Sequence, residues 1–117
     1  MNSRKEWGKM GNYLPARLPT SVHFLVRAHC ADYKRRKQAL ASIELSFDVC
    51  ERLSALNEAI EAALFEVEVP LRQIILRDIA EGRGYDSSSA VMLVSKSCYY
   101  ARKNRVVRSI ACNLKLV

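Results

Sequence analysis

Glycine and proline are scarce, at four and three residues in 117. Two of each, Gly8, Gly11, Pro15 and Pro19, fall in the first 19 residues. Beyond them only Pro70, Gly82 and Gly84 interrupt the chain, which leaves long stretches free to be helical. No uncharged apolar run approaches the ~20 residues needed to span a bilayer, so a transmembrane protein is not expected. The opening MNSRKEWGKMGNYLPARLP has basic residues but lacks the apolar core of a secretory signal, and a cytoplasmic protein is expected. There is no C-x-x-C pair. Cys30, Cys50, Cys98 and Cys112 are spaced for neither a disulfide framework nor a thiolate metal site, so small buried thiols are the expectation. His23 and His29 are separated by about 600° of helical turn and do not converge on a metal. The G-R-G at residues 82–84 falls far short of a nucleotide-binding fingerprint. Glu58 and Glu61 have no nucleophile near them in sequence and read as a solvated face. No enzyme activity, metal or cofactor is expected.

Acidic residues are missing from one whole region. Residues 87–117 carry +6 and contain no Asp or Glu. The first 19 residues carry +3, residues 20–43 carry +4, residues 44–69 carry −6, and residues 70–86 are neutral. The formal charge is +7, and a balance of this sign favours an anionic partner, nucleic acid first and an anionic membrane surface second.

Periodicity predicts an all-α chain of about five helices after an irregular, basic N-terminal arm over residues 1–19. Residues 20–68 form a two-helix segment. In its first helix Val22, Leu25, Val26, His29, Tyr33 and Leu40 share a face, with Thr20 or Ser21 as cap. The second, acidic helix starts near Asp48, where Asp48 and Glu51 resemble a capping box, and its stripe is Val49, Leu53, Leu56, Ile60, Leu64 and Val67. Residues 69–117 begin with a third helix, which accepts Pro70 in its first turn and stops at Gly82 and Gly84. A short helix is expected from Ser87 or Ser88, and Ser95 then caps a basic helix running to the end.

This order of helix, glycine break, short helix, turn and Ser-capped basic helix is that of a helix-turn-helix, whose last helix enters the major groove of double-stranded DNA. Ser95 would hold the helix start beside a phosphate, where the dipole favours an anion. Lys96, Ser97 and Tyr100 are the expected base-reading residues, with Asn104 able to bond a base edge. Arg102, Lys103, Arg105 and Arg108 are the expected phosphate contacts. Tyr99 is expected in the core and Tyr100 outside it, while Val106, Val107, Ile110, Ala111 and Leu114 read as packing. The run Lys34, Arg35, Arg36 and Lys37 reads either as a solvated face or as a second phosphate-contacting surface.

Residues 69–116 resemble the C-terminal part of phage ArpU/RinA-type transcriptional regulators, whose helix-turn-helix is like region four of sigma factors. The residues carrying the resemblance are Ile75 through Arg77, Glu81-Gly82-Arg83, Tyr85, Ser95-Lys96-Ser97, Tyr99-Tyr100, Lys103, Asn104, Ile110-Ala111 and Leu114. HCADYKRRKQAL at residues 29–40 looks like the basic helix those proteins often carry upstream. The resemblance implies a prophage-encoded activator of late genes such as packaging or lysis operons, acting with bacterial RNA polymerase at the nucleoid. It places base reading at Lys96, Ser97 and Tyr100, and backbone contact at Arg102, Lys103 and Arg105. The chain departs from the family by carrying Ser88 and Ser89 where an apolar pair is usual, and Leu93 where the turn residue is often small. Ala90, Val91 and Met92 are expected to pack the short helix instead. A homodimer reading paired half-sites is compatible with this reading. The competing reading is a phage helical module that binds or inhibits another protein through the acidic helix.

Overall fold

Pro19 opens the first helix. Its ring holds φ at −57°, and its carbonyl accepts from the N–H groups of Val22 and His23, so it occupies the cap position expected of Thr20 or Ser21. The protein is seen here as a computed structural model that describes residues 17–42 and 44–117; the arm expected over residues 1–19 lies outside it except for Arg17, Leu18 and Pro19. The described residues are all-α, with α1 Thr20–Ala31, α2 Tyr33–Leu40, α3 Phe47–Leu64, α4 Val69–Glu81 and α5 Lys96–Asn113.

The single helix expected after Thr20 is two helices. Asp32 divides them, and its carboxylate receives Arg35 on the outside and Arg36 on the inside. Within α1 the buried stripe is Val22, Val26 and Cys30 at spacings of four, and the expected Leu25 lies off it and is 46% exposed. The expected acidic helix, α3, has its cap two residues before the expected capping box. Ser46 caps it by accepting from the Val49 N–H, and Asp48 lies within the first turn. Pro70 stands in the first turn of α4, and Gly82 closes that helix at φ 71°, a conformation glycine adopts without a Cβ penalty. Ser95 caps α5 by accepting from Cys98 N–H.

The expected short helix is a pair of 3-10 turns, Tyr85–Ser87 and Ser89–Met92. A buried polar anchor explains why it stays short. Ser88 accepts from Ala90 N–H and donates to the Asp78 carboxylate, so the position that would pack an apolar side chain is tied to α4 by a hydrogen bond. Only Ala90 reaches the core. Val91 and Met92 stand 43% and 85% exposed, against the packing expected of them.

One core holds these pieces together. Val22, Val26 and Cys30 of α1, Leu71, Ile75 and Ile79 of α4, and Val106, Val107 and Ile110 of α5 are all buried in it, joined by Ile60, Ala63 and Leu64 from α3. α1 packs on α4 and α5, α3 packs on α5, and α2 packs on α3. The arm is pinned where it joins the fold by Leu18, which is buried.

Candidate nucleic-acid interface

Arrangement of α5 starts from its packing. Tyr99, Val106, Val107, Ile110 and Ala111 turn one side of the helix into the core. At 100° per residue the opposite side is Ser97, Ala101, Asn104, Arg105 and Arg108, of which the first four are exposed. Lys96 is exposed at the helix start, beside the Ser95 cap.

Four expected contact residues are engaged elsewhere. Tyr100 is half-buried, because its ring stands edge-on to Tyr99 at 5.0 Å and its hydroxyl accepts from the Tyr85 N–H at 3.1 Å. It braces the turn and is not the exposed ring expected of it. Lys103 lies 5.6 Å over the Tyr99 ring and donates to the Arg83 carbonyl, and burial holds its ammonium below the usual lysine range while Asp78 pulls the other way. Arg102 faces the start of α4, where it pairs with the cap residue Glu68 at 2.8 Å and lowers that carboxyl's pKa. Arg36 is buried, donating to Asn57 at 2.7 Å, to the His29 carbonyl at 2.7 Å and to Asp32 at 3.2 Å. Of the run proposed as a second surface, Lys34, Arg35 and Lys37 are exposed, with Arg35 bonded to Asp32 and Lys37 5.9 Å over the Tyr33 ring.

Two hollows lie along the seam between α1 and α5, and a third lies between α5 and the turn after α3. The first, about 240 Å³, is bounded by His23, Arg27, Gly82, Lys103 and the buried Asp78. The second, about 330 Å³, lies among Arg17, Leu18, His23, Asn104, Val107 and Arg108 and has no acidic lining residue. The third, about 500 Å³, runs past Asn104, Arg105 and Arg108 to Ser109 and Glu66. His23 and Val107 belong to the first two, which form the groove between α1 and α5, and the third adjoins it past Asn104 and Arg108. The acids along it are occupied: Ser109 donates to Glu66 at 2.8 Å, and Asp78 accepts from Ser88 and from Tyr99.

The groove adds Arg17, His23 and Arg27 to the residues read from sequence. Nothing in the local pattern marks them, because their role depends on which helix α1 lies beside. Asp78 was also missed, and here a signal existed: Leu71, Ile75, Asp78 and Ile79 fall on one helical stripe, and that stripe is buried. The Asp78 Oδ1 has no hydrogen-bond partner among the described residues, while Oδ2 joins α4 to the turn and to α5.

The described residues contain no cluster of His, Cys, Asp or Glu able to hold a metal, and none of their helices is long and apolar enough to cross a membrane. Comparison with family models, with curated proteins and with solved structures found no match to this chain.

Proposed function

We propose that the protein is a sequence-specific double-stranded DNA-binding regulator that presents the outer face of α5 to the major groove. The observation that carries the reading is the groove between α1 and α5 with the hollow that adjoins it, where Arg17 and Arg108 on one side of Asn104 and Arg105 on the other line the surface. Glu66, the one acid among the described residues lining these two hollows, is bonded to Ser109. Cations in this arrangement neutralise phosphates on both sides of an inserted helix, and an exposed amide is suited to the paired donor and acceptor of an adenine edge. The base-reading set is therefore Lys96, Ser97, Asn104 and Arg105. Arg17, Arg27 and Arg108 contact the backbone, and Tyr100, Arg102 and Lys103 keep the helix in place. The sequence resemblance extends the proposal to a prophage-encoded regulator of late genes working with RNA polymerase.

Selection from a random duplex pool, followed by sequencing of the retained DNA, tests this. The wild type should enrich a defined motif, and Asn104→Ala should lose preference at one position, by about 1–3 kcal/mol, while still binding. Retention without any motif, or no retention, would sink the reading and favour a protein partner.

A further inference from the structure

We propose that the α2–α3 hairpin is a self-association surface whose occupant is a second copy of this chain. The argument begins where α5 ends. α3 and α5 run antiparallel, since Arg102 and Ser109 meet Glu68 and Glu66 just after α3 ends, while Asn113 at the far end of α5 donates to the Ala59 carbonyl of α3 at 3.0 Å. α5 stops at Asn113, and the chain then doubles back, with Lys115 at φ 59° and the Leu116 N–H on the Ala111 carbonyl. The part of α3 from Phe47 to Leu56, roughly 15 Å of helix, overhangs that end. Its packing partner among the helices is α2.

The apolar stripe of α3 does not stop at the overhang. Ile60, Ala63 and Leu64 are buried at 0–4% exposure, yet Val49, Leu53 and Leu56 continue the same four-three spacing and are only half-covered. Phe47 at the tip is 75% exposed. A two-helix hairpin has no interior of its own, and a stripe at heptad spacing is completed by further helices.

Charge selects the occupant. The outer face of α2 carries Lys34 and Lys37, and the start of α3 with the turn before it carries Glu44, Asp48 and Glu51 against a single base, Arg52, all exposed. A surface that is basic on one helix and acidic on the next complements its own copy rotated by a two-fold axis, so that each α2 lies beside the other copy's α3 in a four-helix bundle. The same acidic face repels a polyanion, which separates this surface from the groove on α5.

Sedimentation of the full chain without DNA, over a wide range of concentration, tests the pairing. The expected result is a dimer that dissociates on dilution. Leu53→Glu should sediment as a monomer while retaining its helical circular dichroism. Lys34→Glu alone and Glu51→Lys alone should each weaken association by about tenfold, and mixing the two variants should restore a heterodimer. A wild type that stays monomeric at every concentration overturns the proposal. So does a dimer that survives Leu53→Glu, or a mixture of the two charge variants that shows no recovery. Because no DNA is present, these outcomes are independent of the selection experiment.

Discussion

Arg35 and Arg36 are neighbours of the same type in one basic run, and their environments are opposite. Arg36 is 2% exposed and satisfies Asn57, the His29 carbonyl and Asp32 across the junction of α1, α2 and α3. Arg36→Ala should lower unfolding free energy by about 3 kcal/mol, because it leaves buried acceptors without a donor and removes the packed stem. Arg35→Ala should leave the denaturant midpoint unchanged, since that side chain stands in water. His29 beside this network gives a pH signature. Burial is the main cause of its lowered pKa and Arg36 the second, with Asp32 opposing them. In the interval between its folded pKa and the ordinary 6.5, the unfolded chain binds more protons than the folded one. Stability therefore falls as pH drops through that interval, and His29→Gln should flatten this limb in urea titrations. At the other end of the core, Tyr99→Phe removes one of the two donors to Asp78 and should cost about 1–2 kcal/mol.

Helix ends belong to the next scale, and those at Pro70, Gly82 and Ser95 lie where the sequence puts them, while those at Pro19, Asp32 and Ser46 do not. Gly82→Ala should destabilise by about 1–2 kcal/mol, since φ is positive there and a Cβ would stand 2.9 Å from the Arg27 Cζ. Ser95→Ala should cost about 1 kcal/mol by freeing the Cys98 N–H. Thermal unfolding of both variants checks these values. Pro70, Gly82 and Ser95 were legible because a cap is decided within four residues of chain. The 3-10 turns were not, because Ser88 is held by a carboxylate ten positions upstream on another helix. Nor was the break at Asp32, where the Arg36 side chain makes a bond to Asn57 in α3. The reading face of α5 suffered from the same cause: Tyr100 and Lys103 have suitable chemistry for DNA, and tertiary partners claim them. Asn104 and Arg105 are exposed, because they lie on the side of α5 opposite its buried residues.

Over the whole molecule, charge is segregated between two surfaces. If the α1–α5 groove lies on DNA, Arg17→Ala and Arg27→Ala should each reduce the slope of log affinity against log salt by about 1. A filter-binding series at several salt concentrations measures it. Lys103→Ala should show its effect first in stability, because its ammonium is spent on Arg83.

α5 is at once the outer wall of the groove and the rod on which α1, α3 and α4 converge. A ligand held in the groove would thus bear on the helix against which α1, α3 and α4 pack. Binding and melting become one linked equilibrium, with a heat-denaturation curve that moves up as a polyanion such as heparin is added and returns when salt displaces it. A single unlabelled melting experiment would then rank candidate ligands by how far each delays collapse of the entire chain.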